Sequence, residues 1–339
     1  MRKLATIKRI DAIRPIAGAD AIECAVVGGW TAVVKRGEYA AGNLVVYVEI
    51  DAWIPHDLAP FLSKGKEPRE FNGIKGERLR TMKLRGALSQ GLILPLNIVP
   101  AMPVEWNGMY EGTDVSALLG IVKYEAPVPA QLSGEVKGAF PGWIPKTDQE
   151  RIQNLTVELA EWQTRDLTWE QTEKLDGSSM TVYLMDGEFG VCSRNLELKP
   201  NPNNSLWKVA IREQLEEKLR AAGRNLALQG ELIGEGIQGN PYKIKGQDFF
   251  LFDIYDIDAG EYLDPLARSD FTVGHAIKHV PAITDSFVIA HTVEELLASA
   301  EAKSLLNDKT EQEGFVYKCV EENISFKCIS NKFLLKNGE

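Results

Sequence analysis

The sequence predicts an α+β protein of two domains, with a small β-barrel first and then a domain of antiparallel sheets with flanking helices. The chain has 339 residues, which is long for one domain and suits two. Its first third consists of short apolar runs separated by glycines, whereas later runs follow both strand and helix spacing. Residues 126–141 are rich in proline and glycine, as linkers are. We therefore predict domains at 1–125 and 142–339, joined by a linker at 126–141.

The barrel is predicted from four strand-like stretches with turn residues between them. Three are apolar, at 22–34, split by Gly28-Gly29, at 44–50 and at 91–96, and the fourth, 78–84, alternates charged and apolar residues. Short strands with glycine-rich turns favour a five-stranded barrel of the oligonucleotide-binding (OB) type.

A basic segment lies within the predicted barrel. Residues 64–85 hold eight lysines and arginines against three glutamates, although the whole chain has a net charge of −10. Such patches bind phosphate backbones whatever the total charge. The predicted nucleic-acid-binding residues are Lys75, Arg78, Arg80, Lys83 and Arg85. The alternative is a solvated charged loop, which this segment alone does not exclude.

The second domain mixes strand and helix patterns. Asp186-Gly187 between two apolar runs predicts a hairpin, and Thr292 with Glu295 predicts a capped helix. Further predicted elements are a first helix at 147–155, a helix ending at Gly223, strands at 226–233 and 249–255, and a last hairpin of 315–320 with 324–329.

Composition narrows the class of protein. No apolar run approaches the length of a membrane span, and the first residues lack the apolar stretch of a secretory signal. We expect a soluble protein of the cytoplasm, or of the nucleus in a eukaryote. The cysteines show no C-x-x-C spacing, and His275 with His279 lacks the H-E-x-x-H pattern, so a helix face is favoured there over a zinc site.

Several polar residues that could take part in catalysis or ligand binding lie at the ends of predicted strands. The segments are Glu173-Lys174-Leu175-Asp176-Gly177, Ser193-Arg194, Gly230-Glu231-Leu232, Phe252-Asp253-Ile254-Tyr255, 313–318 (EGFVYK) and Phe326-Lys327-Cys328. In this order they resemble motifs I, Ia, III, IIIa, IV and V of the covalent nucleotidyltransferases, which include ATP-dependent DNA ligases, RNA ligases and mRNA capping enzymes. The domain order, in which the barrel precedes the motifs, resembles that of the nick-sealing RNA ligases of the Deinococcus and Naegleria type.

The resemblance implies a role for each motif residue. Lys174 would carry AMP taken from ATP, and Lys327 would contact its phosphate. Asp176, Glu231 and Glu313 would hold Mg²⁺ or Mn²⁺ through water molecules. The implied nucleotide contacts are Glu173, Gly177, Arg194, Phe252, Lys327 and, on the helix ahead of motif I, Arg151.

Activation of the lysine is the difficult step. A free lysine has a pKa of about 10.4, so the attacking amine needs neighbouring positive charge, expected from Lys327 and the metal ion. Relatives carry K-x-K in motif V, whereas Ile329 stands at the second position here. Lys327 must then act alone, or Lys332 must reach the site.

The function implied is an ATP-dependent RNA ligase that joins a 3′-hydroxyl to a 5′-phosphate through lysyl-AMP and an adenylated 5′ end. Its partner would be RNA, or an RNA-containing duplex with such a break, and we expect a monomer that binds no membrane. The alternatives are an ATP-dependent DNA ligase, an mRNA guanylyltransferase, or a nucleic-acid-binding protein without catalysis.

Overall fold

The computed structural model describes residues 3–100, 110–125 and 134–337. The chain divides into two compact units. The first comprises Met1–Pro127, Gln153–Thr156 and Leu334–Glu339, and the second comprises Val128–Ile152 and Val157–Phe333. Of the predicted linker, residues 126–133 lie outside the described residues, and the following residues include a strand of the second unit, Val136–Ala139. Within the described ranges, no helix is long and apolar enough to cross a membrane.

The first unit is built of short antiparallel strands. They are β1 (Ala5–Arg9), β2 (Ala12–Pro15), β3 (Ile22–Val27), β4 (Trp30–Lys35), β5 (Leu44–Glu49), β6 (Ala52–Pro55), β7 (Arg69–Phe71), β8 (Ile74–Arg78), β9 (Met82–Leu84), β10 (Ala87–Ser89), β11 (Gly91–Pro95) and β12 (Val122–Lys123). They form sheets in the orders β1-β5-β11, β2-β3-β4, β12-β6-β8-β7 and β10-β9. Ile7, Val46, Val48, Ile54 and Leu94 are buried in the core of this unit.

The predicted strand at 78–84 is wrong, because the chain breaks there into two strands. β8 ends at Arg78, and Leu79 leaves the ladder as a buried residue. The chain then forms the β9–β10 hairpin, whose turn residues Arg85 and Gly86 both have positive φ. Of the basic residues in this segment, Arg78 therefore lies on β8 and Lys83 on β9, with Arg80 between the two strands.

The described part of the second unit contains twelve further strands. They are β13 (Val136–Ala139), β14 (Glu150–Arg151), β15 (Trp169–Lys174), β16 (Ser178–Met185), β17 (Glu188–Ser193), β18 (Leu196–Leu198), β19 (Leu226–Gly234), β20 (Gln247–Asp256), β21 (Glu261–Tyr262), β22 (Ala282–Phe287), β23 (Gly314–Cys319) and β24 (Ser325–Ile329). One sheet has the order β13-β18-β17-β16-β19-β20-β21, and another has the order β14-β24-β23-β15-β22. All their pairings are antiparallel except that of β14 with β24.

Six α-helices occur in the described residues. They are α1 (Thr156–Trp162), α2 (Ser205–Arg212), α3 (Leu215–Ala222), α4 (Pro265–Gly274), α5 (Val293–Ser299) and α6 (Asn331–Asn337). Apolar residues of α2, α3 and α4, among them Trp207, Leu219 and Phe271, pack with Leu228 and Leu251 of the seven-stranded sheet. This packing covers one face of that sheet and leaves the other face to line a site.

Most of the elements that local signals predicted in the second unit occur in the structure. The β16–β17 hairpin turns at Asp186-Gly187, both with positive φ, and Thr292 forms the predicted capping box with Glu295. The predicted helix before Gly223 is divided in two by Gln214, which has φ +53°. The predicted helix at 147–155 is wrong, because Glu150–Arg151 forms β14 and α1 begins only at Thr156.

Candidate active site

Lys174 is the last residue of β15, and its amine contacts the carboxylate of Glu313, the residue that precedes the neighbouring strand β23. In the β15–β23 ladder Lys174 lies opposite Gly314, which places Glu313 beside it. Lys174 Nζ donates to Glu313 Oε2 at 2.8 Å, and both side chains are largely shielded from solvent. An amine and a carboxylate are thus brought together by strand register, 139 residues apart in the chain.

The turn after Lys174 lies directly on β19. A Cβ atom at Gly177 would come within 2.4 Å of the Leu232 carbonyl oxygen, so only glycine fits this close approach. Two residues later Ser179 pairs with Glu231. The glycine of motif I therefore has a packing reason that holds whether or not it contacts a nucleotide.

The charges around Lys174 are mostly negative. Burial lowers the pKa of its amine, but Glu313, Glu231 and Asp176 together outweigh burial and raise that pKa above its ordinary value. Burial raises the pKa of Glu231 to about 8, with Lys174 opposing and Glu313 and Asp176 adding to the rise. We expected positive neighbours to release the lysine proton, whereas the protein residues alone retain it.

The carboxylates suit a hydrated cation better than a bare one. Among residues 3–100, 110–125 and 134–337, no three histidine, cysteine, aspartate or glutamate side chains converge closely enough to hold a metal ion directly. Asp176, Glu231 and Glu313 nevertheless act on one amine, and Mg²⁺ commonly keeps several waters when carboxylates bind it. The residues present therefore fit an ion held through water.

Glu173 supplies a buried acceptor next to Lys174. Its Oε2 accepts the Leu305 amide at 2.8 Å, while its Oε1 is buried without a hydrogen-bond partner in the described part of the chain. Burial raises the pKa of this carboxyl. An unsatisfied buried oxygen is costly unless a ligand group donates to it, as an adenine amino group can.

Phe252 projects from a β-bulge in β20. Gln229 pairs with Asp253 and Gly230 with Leu251, so Phe252 is the extra residue. Bulges re-aim side chains beside active sites. Phe252 is partly buried against the cluster that contains Leu175, which places its ring next to motif I.

Buried charges support this bulge from behind. Lys318 Nζ donates to the Phe252 carbonyl oxygen and lies 2.8 Å from Asp253 Oδ1. Arg268, on α4, forms an ion pair with Glu170, and its Nη1 lies 3.6 Å from Asp253 Oδ1. Two cations and two anions thus balance one another in the interior.

His279 completes this cluster as a neutral base. The predicted helix face is wrong, because α4 ends at Gly274 and His279 lies beyond it. Its Nε2 accepts from Arg268 Nε at 3.2 Å, and its Nδ1 lies 2.7 Å from the Val280 carbonyl oxygen. Burial, helped by the Arg268 charge, lowers the pKa of His279 to about 4.

This lowered pKa predicts a loss of stability in acid. Between pH 6.5 and 4, His279 is protonated in the unfolded state but stays neutral in the folded state. The free energy of unfolding therefore falls as pH falls, by up to about 3 kcal/mol. In His279→Gln that contribution should be missing. Urea denaturation of both proteins at pH 7 and pH 4.5 measures the difference, and an equal loss of stability in both would contradict this interpretation.

Arg151 and Lys327 lie side by side on the five-stranded sheet. Arg151 pairs with Lys327 in the β14–β24 ladder, so it lies on a strand and not on the predicted helix. Ile329 is buried opposite Gly314, and Lys332 lies 3.0 Å from Glu301. Arg151 and Lys327 are therefore adjacent basic residues, whereas the second motif V position holds the apolar residue Ile329.

Arg194 forms an exposed ion pair. Its Nη2 lies 2.6 Å from Asp148 Oδ1, with about half of each side chain exposed. Its charge nevertheless lowers the pKa of Glu231 among the other influences on that group. Arg194 thus lies near the carboxylates and is held by a partner that solvent or a ligand can replace.

The five predicted nucleic-acid-binding residues of the first unit divide into two groups. Lys75 Nζ lies 3.1 Å from Glu67, and Arg78 lies 2.6 Å from Asp51 and over the Tyr124 ring. The three others, Arg80, Lys83 and Arg85, are exposed and make no ion pair with any residue in the described ranges. The exposed group is the better candidate for contacting phosphates.

Two supporting residues went unnoticed in the sequence. Tyr242 accepts the Asp176 amide at 2.6 Å, and Lys318 holds the Phe252 bulge. Lys318 is part of the motif IV segment and could have been considered, whereas Tyr242 lies in a loop between motifs with no local signal.

A strand-end lysine among carboxylates, with an aromatic on a facing bulge, is the arrangement of a covalent nucleotidyltransferase. The RNA ligase family model matches residues 167–336, and an OB-fold domain model matches residues 4–96. The chain belongs to the RNA ligase family. The predicted family and the predicted N-terminal OB fold are confirmed.

Solved structures of the Naegleria gruberi RNA ligase are similar over almost the whole chain. A variant without ligand has 48% identity and a TM-score of 0.90, covering 98% of this chain and 97% of that chain. A variant with AMP and Mn has 48% identity and a TM-score of 0.91, covering 99% and 100%. The ligase with pyrophosphate has 49% identity and a TM-score of 0.89, covering 98% of both. No curated protein gave a significant match.

Proposed function

We propose that this RNA ligase uses ATP to seal breaks between a 3′-hydroxyl and a 5′-phosphate, chiefly nicks in RNA-containing duplexes, through a lysyl-AMP intermediate. The main support for this proposal is the position of the Lys174 amine. It lies 2.8 Å from Glu313, and the charges of Glu231 and Asp176 raise its pKa. Structures of the Naegleria gruberi RNA ligase with ATP, AMP, pyrophosphate and Mn support the same nucleotide and metal here.

In the first step, Lys174 Nζ attacks the α-phosphorus of ATP. A nitrogen–phosphorus bond forms, the bond to the β-phosphate oxygen breaks, and pyrophosphate leaves. A divalent ion, when bound, neutralises the phosphates and the carboxylates. With Glu231, Glu313 and Asp176 neutralised, the amine no longer has the charges that raise its pKa, so it can release its proton to solvent.

Glu173 and Phe252 would bind the base. The unpartnered Glu173 Oε1 can accept from the adenine amino group, and the Phe252 ring can stack on the adenine. Guanine presents an oxygen acceptor at the corresponding position, which the Glu173 carboxylate would repel. This is the physical reason to expect ATP rather than GTP.

Two transfers complete the reaction. The 5′-phosphate oxygen of the broken strand attacks the AMP phosphorus, which breaks the bond to Lys174 and yields an adenylated end. The 3′-hydroxyl then attacks the 5′-phosphate, loses its proton and expels AMP. Arg151, Lys327 and Arg194 are the basic residues in this unit proposed to hold the phosphates.

The test is incubation with α-labelled ATP, Mg²⁺ or Mn²⁺ and a nicked RNA duplex, followed by denaturing gels. We expect labelled protein, then labelled 5′ ends, then a sealed strand. A matched DNA nick measures preference for the sugar. Protein that acquires no label under any of these conditions would refute the proposed function. The monomeric state and the location in cytoplasm or nucleus stay predictions.

A pH profile follows from the charges of the site. Glu231, with a pKa of about 8, is mostly protonated at neutral pH, and the raised pKa of Lys174 keeps its amine charged. As pH rises, Glu231 loses its proton and can help to hold Mg²⁺, whose charge favours release of the Lys174 proton. Single-turnover adenylylation at limiting Mg²⁺ should therefore increase between pH 6.5 and 8.5. At saturating Mg²⁺ the rise should occur at lower pH. Identical profiles at both Mg²⁺ concentrations would contradict this account.

A further inference from the structure

We propose that Tyr242 is a positioning residue for the catalytic turn, because its buried hydroxyl holds the backbone that joins Lys174 to Asp176. The inference rests on the proposed function, since it assigns Tyr242 to the same site. Tyr242 belongs to none of the six motifs and comes from the segment between β19 and β20.

The hydrogen bond carries the inference. The Asp176 amide donates to the Tyr242 hydroxyl oxygen at 2.6 Å, 66 residues away in the chain. The β15–β23 ladder ends with the Lys174–Gly314 pair. Asp176 therefore lies beyond the sheet, where its amide needs another acceptor, and a turn without one could move the carboxylate and the amine together.

The phenol itself is fixed by packing. Tyr242 is only 4% exposed and lies in a cluster with Leu175, Ile233, Phe250 and Val280. Leu175 is the residue between the catalytic lysine and the aspartate. The ring thus packs on one side of the turn while its hydroxyl binds the next amide.

The loop that carries Tyr242 is held at several points. The Asn240 side chain bonds both the amide and the carbonyl of Ile244, at 3.0 and 2.9 Å. Asn307 Nδ2 donates to the Pro241 carbonyl oxygen at 2.8 Å. Gln238 Nε2 donates to the Gly177 carbonyl oxygen at 3.4 Å, which adds a second contact to the same turn. A loop fixed in this way can impose geometry on the turn.

The hydroxyl is neutral at working pH. Burial raises the pKa of Tyr242, and the charges of Glu313, Asp176 and Glu173 raise it further, against the opposing effect of the Asp176 amide. A neutral phenol accepts from the amide without adding a charge to the carboxylate site. Removing its oxygen therefore changes geometry and leaves the charge of the site unaltered.

Tyr242→Phe tests the assignment, since it deletes one oxygen and keeps the ring. Hydrogen exchange of the full-length protein without ligand should be faster in the peptide that contains Asp176, by about 10-fold for loss of one hydrogen bond. Single-turnover adenylylation with labelled ATP should slow by roughly 10-fold, with the KM for ATP changed less than about twofold.

Tyr47→Phe is the matched control. The Tyr47 hydroxyl donates to the Gln90 carbonyl oxygen at 2.9 Å within the first unit, and the residue is fully buried. It should change neither exchange at Asp176 nor adenylylation. Equal effects of the two variants, or unchanged exchange and rate in Tyr242→Phe, would overturn the inference. If wild-type protein forms no adduct, the proposed function fails, and the exchange measurement alone then decides whether Tyr242 holds the turn.

Discussion

Lys174→Arg is expected to abolish the labelled protein band, with adenylylation reduced more than about 1,000-fold. Arginine retains the positive charge beside Glu313 but keeps its protons at any working pH, so it cannot attack the α-phosphorus. The measurement is the initial rate of AMP transfer to protein in the presence of Mg²⁺ and α-labelled ATP.

The same variant separates the chemical steps. A nicked duplex that already carries AMP on its 5′-phosphate does not need the lysine adduct, so Lys174→Arg should still convert it to sealed product. Lys208→Arg, an exposed lysine on α2 of the same unit, is the control and should form the adduct at the wild-type rate. A normal adduct in Lys174→Arg would show that another residue carries AMP.

Short sequence patterns were enough to predict several local elements and the order of the site residues along the chain. Asp186-Gly187 and the Thr292 capping box specify their own geometry within a few residues, and both occur as predicted. Lys174, Glu231 and Glu313 were selected because carboxylates and a strand-end lysine recur in a known order. The structure brings these three charges together through the β15–β23 and β16–β19 registers.

The protonation state of Lys174 could not be predicted from sequence patterns. Its pKa depends on how deeply four charged groups are buried together, which strand register decides and a motif does not state. Arg151 was placed on the wrong element for a related reason. Its pairing partner Lys327 is distant in sequence, and the residues at 147–155 contain no local signal for a two-residue strand.

The basic segment of the barrel shows a similar limit. The number of charges in the segment does not show that Arg78 forms an ion pair with Asp51, because that pair joins β8 to the turn after β5. In contrast, Arg80, Lys83 and Arg85 are presented by the stretch from Leu79 through the β9–β10 hairpin. If the unit grips an RNA duplex, these three side chains should supply much of the phosphate contact.

Replacing Arg80, Lys83 and Arg85 together with alanine should therefore weaken binding of a nicked RNA duplex by roughly 10- to 100-fold at moderate salt. The slope of log affinity against log salt should decrease by up to about 2.7, because each lost phosphate contact removes about 0.9. Adenylylation without RNA should be unchanged, since Lys174 and its carboxylates belong to the second unit. Sealing at subsaturating duplex should fall with the affinity.

The control removes the same charge from elsewhere on the same unit, at exposed Arg14, Lys35 and Arg36. Because both triple variants lose three positive charges, a general electrostatic effect would weaken binding equally in each, whereas a contact surface would weaken it only in the first. Equal salt slopes for the two variants would therefore rule out the hairpin as the duplex-binding surface. A lower slope in the hairpin variant, with intact adduct formation, would assign nucleic-acid contact to the first unit and nucleotide transfer to the second.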